Sequence, residues 1–323
     1  MIRVGLLGAS RIATGAIIEP AATLSDVCVQ AVAARDVGRA RTFARTHRIP
    51  DVARDYATLV SSNEIDLVYI GLPPSEHMRW TLAALRAGKH VLCEKPFAMS
   101  ADEAATMIGV ARQERRCLIE AFHYRFHPLF ERVMALVDSG AIGRVQRVDC
   151  HFNVPVAESP VELRYDKALG GGAMMDLGCY TVHWARCIAG EHPAVASAAA
   201  EWHPSGVDVA MKVRLAFPGG AIASLSCSMA DELPDELDTR LSVTGERGGI
   251  TVQNPLVPQL GHRLRLKTES GEFVETFSKK TTYYYQLQHV TDVLERGASQ
   301  LTGGLDAVDN MRVLDDVYRQ AAN

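Results

Sequence analysis

The chain has no C-x-x-C pair, no long run of one charge sign, no internal repeat and no low-complexity segment. Its seven cysteines, at positions 28, 93, 117, 150, 179, 187 and 227, are an odd number and sit mostly in apolar runs. That usage fits reduced core thiols in a cytoplasm rather than a disulfide framework. With 34 basic against 38 acidic residues and a formal charge of −4, nothing favours nucleic acid or a membrane surface as partner, so small molecules are expected. No stretch approaches the roughly 18 apolar residues of a membrane span. The opening Met-Ile-Arg-Val-Gly-Leu-Leu-Gly already reads as strand and turn, without the charged and apolar regions of a signal peptide. A cytoplasmic location is the expectation. What is present is an ordinary globular composition, 323 residues with 47% hydrophobic and 22% charged, long enough for two cores.

The first half alternates short apolar runs with helical patterns. Ile2 to Leu7 predicts a strand, followed by Gly8, Ser10 and Ala13 in the places where a dinucleotide turn wants small residues. Serine replaces the middle glycine, which narrows the approach to a pyrophosphate but offers it a hydroxyl. The helix that follows turns its positive N-terminus towards the anion. Strand Val27 to Ala34 ends in Ala33-Ala34-Arg35-Asp36, with no carboxylate where a ribose 2′-hydroxyl would be bound. Arg35 suits a 2′-phosphate instead, so NADP(H) is the expected cofactor, with NAD possible. The competing reading is that Asp36 caps a helix beginning near Val37 and Arg35 is solvated.

Helices near Arg39 to His47 and Asp55 to Ser61 and a strand Leu67 to Ile70 continue the alternation. In Gly71-Leu72-Pro73-Pro74-Ser75-Glu76-His77, Ser75 predicts the N-cap of a helix to Ala87, and Pro73 either packs on the cofactor or only forms the turn. Strand Lys89 to Cys93 then delivers Glu94-Lys95-Pro96. A lysine at that edge of a parallel sheet stands where such sheets bind ligands, on a backbone stiffened by proline. A helix from Ser100 and a strand Cys117 to Ala121 complete a domain expected over residues 1–121.

Residues 122–323 are expected to form a second domain for substrate and oligomerisation. Grouped strands are predicted at Val145 to Val154, Val207 to Phe217, Ala221 to Met229, Leu237 to Thr244, Leu264 to Thr268 and Glu272 to Phe277. Helices are predicted at Ala173 to Ile188, Tyr283 to Glu295 and Leu305 to Ala321. That grouping marks an α+β unit. His123 and His127 lack a third partner and argue against a metal. After the turn Gly170 to Gly172, Asp176, Tyr180 and His183 fall at i, i+4 and i+7, one face of a helix.

The order of these motifs, namely G-x-x-G-x-S-x-x-A, Pro-Pro-Ser-Glu-His, Ala-Gly-Lys-His-Val-Leu-Cys-Glu-Lys-Pro and Gly-Gly-Gly-Ala-Met-Met-Asp-Leu-Gly-Cys-Tyr, resembles the glucose-fructose oxidoreductase, inositol dehydrogenase and MocA family. The Ala-Ala-Arg-Asp strand end and the Asp-x-x-x-Tyr pairing look closest to its dimeric dihydrodiol dehydrogenase and NADP-dependent aldose dehydrogenase branch. The resemblance covers essentially the whole chain. It implies an α/β fold: an N-terminal Rossmann domain with a doubly wound parallel sheet, and a C-terminal α+β domain with an open, mostly antiparallel sheet. It also implies a cis Lys95-Pro96 bond and a homodimer or larger oligomer covering the open sheet.

By that resemblance the cofactor residues are Gly8, Ser10, Arg11, Ile12, Arg35, Pro73, His77, Glu94 and Lys95. The catalytic residues are Lys95, Tyr180 and Asp176, with Asp176 binding a second substrate hydroxyl or orienting Lys95 rather than acting as base; Arg125, Arg164, Asp176 and His183 are the candidate substrate contacts read from the residues themselves, and no metal is expected. The implied reaction moves hydride between the nicotinamide and a carbinol carbon of a sugar, cyclic polyol or trans-dihydrodiol. Tyr180 takes the hydroxyl proton, and the common family pattern has histidine at that place. Lowering a phenol by about three units requires roughly 4 kcal/mol. One ammonium at about 4 Å, in an effective dielectric of about 20, supplies roughly that. Whether Lys95 or Tyr180 is the base stays open, because the two would titrate as a coupled pair. A redox-neutral glycosidase or lyase and a non-catalytic dinucleotide-sensing regulator are the alternative functions.

Overall fold

The computed structural model describes residues 1–230, 233 and 237–322. Two compact units emerge: Met1–His123 with Tyr283–Val308, and Tyr124–Thr282 with Asp309–Asn323. The first break falls close to the division after residue 121 expected from the sequence, and Tyr283–Val308 returns to the first unit. Leu287, Val290 and Val293 of the helix Thr282–Arg296 pack into the core of the first unit with Val4, Leu6, Leu67, Tyr69 and Ile119.

In the first unit, β1 (Ile2–Leu7), β2 (Val27–Ala33), β3 (Asp51–Val52), β4 (Leu67–Ile70), β5 (His90–Cys93) and β6 (Leu118–Glu120) form one sheet in the order β3-β2-β1-β4-β5-β6. All its pairs are parallel. Strands buried on both faces read as continuous apolar runs, as Leu67-Val-Tyr-Ile70 does with every residue buried. The strand order reverses between β1 and β4, the place where an open α/β sheet leaves a ligand crevice at its C-terminal edge. The two-residue β3 was too short to leave a periodic signal.

In the second unit, eight strands follow the order β14-β13-β12-β11-β7-β10-β9-β8. They are β7 (Val145–Asn153), β8 (Ala194–Trp202), β9 (Asp208–Ala216), β10 (Ile222–Ser228), β11 (Asp238–Gly245), β12 (Gly248–Gln253), β13 (Arg263–Thr268) and β14 (Gly271–Glu275). Every pair is antiparallel except β7 with β10. The period-two alternation sends Cys150, Phe152, Leu225 and Cys227 to a face that packs against the helical stretch 174–189. Arg147, Asp149, His151, Lys212, Arg214 and Arg240 share the other face, which is polar and open among the described residues. Two strands escaped the sequence reading. Alanine-rich β8 lies at the sheet edge, largely exposed, and β12 begins on two glycines, residues that strand patterns avoid.

Candidate active site

The first unit gathers its expected cofactor residues at the C-terminal ends of β1, β2, β4 and β5. Gly8 has φ +103°, a conformation that L side chains rarely adopt, and a Cβ there would come within 2.9 Å of the Gly71 carbonyl oxygen. The two turns flanking the sheet reversal thus approach each other because neither carries a side chain. Ser10 precedes the helical residues 11–21, and its hydroxyl is buried without a hydrogen-bond partner, while Arg11 and Ile12 are exposed in the first turn. A side-chain-free cradle, an orphaned hydroxyl and a helix N-terminus suit a pyrophosphate. The residues present therefore fit a dinucleotide.

At the end of β2, Arg35 is exposed. Asp36 caps the helix Val37–His47 by accepting from the Arg39 amide at 2.8 Å, so the capping reading of Asp36 is realised alongside the exposed Arg35. The sequence reading missed Arg39, whose Nη2 donates to the Ala9 carbonyl at 2.9 Å. It ties the helix to the glycine turn and sets a second guanidinium beside that turn. Its spacing four residues after Arg35 was the available signal.

The helix after β4 runs Pro74–Arg86, with Pro73 in the extended N-cap position and no side-chain cap. Ser75 lies inside the first turn, a correction to its expected capping role: Pro74 at N1 is pre-organised for the helix and lacks the amide a cap would satisfy. His77 is also relocated. It is fully buried, with Nδ1 3.0 Å from the Pro96 carbonyl oxygen and Nε2 2.8 Å from that of Leu72. Its ring joins the Leu72–Pro73 turn to the Lys95–Pro96 turn and presents no nitrogen to a cofactor.

Lys95 is half-buried and its bond to Pro96 is cis. Glu94 beside it is buried, accepting from the Tyr69 hydroxyl at 2.7 Å and the Lys95 amide at 3.3 Å. Burial, with a smaller contribution from the Lys95 ammonium, depresses the His123 imidazole to about 3. His77 is lowered by burial too, with Lys95 again a minor cause. Burial thus disfavours the charged form of both imidazoles, and the Lys95 ammonium adds to that effect. A second carboxylate at this edge, Glu120 at the end of β6, is 1% exposed and was not singled out from the sequence.

In the second unit the glycine turn folds back on the segment before it. The Gly171 amide donates to the Asp166 carbonyl and the Gly172 amide to that of Arg164, both at 2.9 Å. A Cβ on Gly171 would run into the Arg164 main chain. This closure brings two expected substrate residues together: Arg164 Nε donates to Asp176 Oδ2 at 2.5 Å, and its Nη1 to Glu162 at 3.0 Å. Asp176, before burial, is the main influence on the Arg164 guanidinium and holds it more firmly protonated.

The helix begins with a π turn, Met174–Gly178, before the regular α-helix Cys179–Ala189. A π turn widens the i to i+4 step, and the expected single polar face does not survive it. Asp176 is half-buried and Tyr180 is 4% exposed among the rings of Phe152, Tyr124 and Trp184. His183 lies in the core, its Nδ1 2.5 Å from the Tyr124 hydroxyl and its Nε2 3.6 Å from Cys187 Sγ. It is a packed histidine rather than a substrate contact in this conformation. Arg125 rests its guanidinium over the Phe130 ring at 5.6 Å. Among the described residues, no group of three or more histidine, cysteine or carboxylate side chains gathers for a metal, and no helix is long and apolar enough to cross a membrane.

Comparison with known proteins agrees with this architecture. Residues 2–122 match the oxidoreductase family with the NAD-binding Rossmann fold, and residues 130–251 match the GFO/IDH/MocA C-terminal domain. The NADP-dependent D-xylose 1-dehydrogenase 2 of Haloferax volcanii is 33% identical over 98% of this chain and 96% of its own. The trans-1,2-dihydrobenzene-1,2-diol dehydrogenase of Xenopus tropicalis is also 33% identical, over 84% and 82%. The solved aldose-aldose oxidoreductase of Caulobacter crescentus, crystallised with glycerol, superposes with a TM-score of 0.89 at 26% identity, covering 99% of this chain and 97% of that one. The doubly wound first unit, the mostly antiparallel second unit and both domain matches place the chain in the Gfo/Idh/MocA oxidoreductase family.

Proposed function

We propose that the protein is an NADP(H)-dependent dehydrogenase or reductase acting on a carbinol or carbonyl carbon of a sugar, cyclic polyol or trans-dihydrodiol. The observation that carries the reading is a half-buried Lys95 at the ligand edge of the parallel sheet, in a chain that also carries Tyr180 and Asp176. A regulator that only senses dinucleotide has no need of that combination. NADP, when bound, supplies the hydride acceptor or donor; Gly8, Ser10, Arg11 and Ile12 would hold its pyrophosphate, with Arg35 and Arg39 at the 2′-phosphate. Pro73 and Glu94 line the same edge. Both sugar and diol relatives favour a polyhydroxylated substrate, and the name of the first of them specifies NADP.

Lys95 and Tyr180 are the proton-handling groups in this reading. The phenol exchanges a proton with the substrate hydroxyl, and the ammonium stabilises the oxygen that gains negative charge, worth several kcal/mol in a water-poor site. Asp176 acts by fixing Arg164, so that the pair offers a paired guanidinium edge to substrate hydroxyls, with Arg125 as a further cation. A general acid–base step of this kind contributes about 10²- to 10⁴-fold. The test follows NADPH absorbance with aldoses, inositols, keto-sugars and trans-dihydrodiols. Lys95→Ala is expected to lose turnover by at least about 10²-fold while keeping NADPH affinity; near-normal turnover would sink the assignment. Silence of the native protein across the panel with NADPH retained would favour the redox-neutral enzyme or the regulator.

Self-association through the polar face of the second sheet belongs to the same reading. That face carries both charge signs, Asp149 against Lys212, Arg214 and Arg240, so it is able to complement a two-fold copy of itself. Because it is polar, its burial is not obligatory. Sedimentation of the native protein and of Arg240→Glu decides the matter: a single monomeric boundary at micromolar concentration would remove the oligomer.

A further inference from the structure

The helical stretch that carries Asp176 and Tyr180 starts against a fully buried carboxylate. Asp208, the first residue of β9, has no exposed surface. Its Oδ2 accepts from the Met174 amide at 2.7 Å, and its Oδ1 accepts from the Tyr318 hydroxyl at 2.7 Å. A helix leaves its first-turn amides without internal partners, and here that of Met174 is taken up by the β9 carboxylate, which Tyr318 of the helix Leu305–Ala321 bonds in turn.

Gly172 explains how the carboxylate comes so close. Its φ is +120°, and a Cβ there would run into Asp208 Oδ1 and lie 2.9 Å from the Tyr318 oxygen. The third glycine of the turn is thus required by the anchor, not only by chain flexibility. The anchored Met174 opens the π turn Met174–Gly178, which carries Asp176 and leads to Tyr180. A π turn lacks the tight register of a regular helix, so the angular position of Tyr180 depends on where the turn begins. Burying a carboxylate is costly unless it is hydrogen-bonded, and a hydrophobic residue would fill the same place more cheaply if packing were all that was needed.

We infer that the Asp208–Tyr318 pair sets the start of this helix and is thereby a positioning element for Tyr180 and Asp176. The inference rests on the oxidoreductase reading above. It is tested with full-length Asp208→Ala, Asp208→Asn and Tyr318→Phe, measuring kcat and KM for the best substrate of the panel, NADPH affinity, and deuterium exchange of the peptide covering residues 172–180. In Asp208→Ala, exchange of the amides following Gly172 rises and kcat falls about tenfold or more, with NADPH affinity unchanged because the cofactor residues belong to the other unit. Asp208→Asn rescues both readouts, since its carbonyl still accepts from Met174 and its amide still bonds Tyr318. Tyr318→Phe gives an intermediate loss and carries the test if Asp208→Ala does not fold.

Raised exchange with kcat unchanged in the folded fraction would overturn the positioning role and leave Asp208 a purely structural acid. Equal damage in Asp208→Asn and Asp208→Ala would overturn it as well. A native protein silent towards every carbinol, with exchange still raised in Asp208→Ala, refutes the oxidoreductase reading while supporting the anchor.

Discussion

Arg39→Ala separates cofactor choice from bracing of the glycine turn. In the structure the Arg39 guanidinium spans from the first turn of its helix to the Ala9 carbonyl, 2.9 Å away, and is itself exposed. A 2′-phosphate carries about −1.5 to −2 charge at neutral pH. At about 4 Å in a water-like dielectric each unit charge is worth about 1 kcal/mol, so roughly 1.5–2 kcal/mol is at stake. That lies at the low end of the range of about 1.5–3 kcal/mol for hydrogen bonds to charged groups, as an exposed pair should. At about 1.4 kcal/mol per decade, NADPH binding weakens about 10- to 30-fold, while NADH binding, which has no 2′-phosphate to lose, stays within about threefold. Fluorescence titration of both cofactors against native protein, Arg39→Ala and Arg35→Ala reads these changes directly. The native preference for NADPH also shrinks with salt, since exposed charges are screened over about 10 Å at 0.1 M. Equal weakening of NADPH and NADH by Arg39→Ala would refute the reasoning and reduce the residue to a brace on Ala9.

Three further outcomes follow from the first unit and its sheet edge. His123 is held neutral by burial down to about pH 3, whereas in the unfolded chain it protonates near 6.5. The unfolded state therefore binds the extra proton first, and the stability from His123 is fully present above about pH 6.5 and drains as pH falls towards about 3. The slope is at most about 1.4 kcal/mol per pH unit; urea melts of His123→Phe between those limits should be flatter than native ones, and parallel curves would contradict this. Tyr69→Phe deletes the buried donor to Glu94 and should cost about 1–3 kcal/mol in the same melts, an unchanged midpoint being the disproof. Gly8→Ala forces a Cβ at φ +103° against the Gly71 carbonyl. It should lower stability by about 1–2 kcal/mol and weaken NADPH and NADH alike, in contrast to Arg39→Ala; retained binding of both would show that the turn does not hold the pyrophosphate.

What was legible in the sequence was whatever the backbone itself imposes. The glycine at residue 8, the prolines after residues 72 and 95 and the triple glycine before the second helix are constraints on main-chain angles, and each marks a turn at the place it occupies in the fold. Fully buried parallel strands were equally readable as continuous apolar runs, whereas Ala194–Trp202 was not, because its alanines favour a helix and only pairing with β9 makes it a strand. Side-chain destinations were read less well. The spacing of Asp176, Tyr180 and His183 assumes a uniform helical repeat, and the π turn at Met174–Gly178 breaks it, sending His183 to Tyr124 and Asp176 to Arg164. His77 was placed at the cofactor because it follows a turn at the ligand edge, but two carbonyls from turns nineteen and five residues away claim its ring. Arg39 and Asp208 went unremarked for the same reason, since their partners, Ala9 and Met174, are 30 and 34 residues distant. Local geometry thus predicts where a site lies, and long-range hydrogen bonds decide which of its polar residues remain available for chemistry. By that criterion Lys95 and Tyr180 are tested by activity, while His77, His183 and Asp208 are tested by what their removal does to the turns and helix they hold.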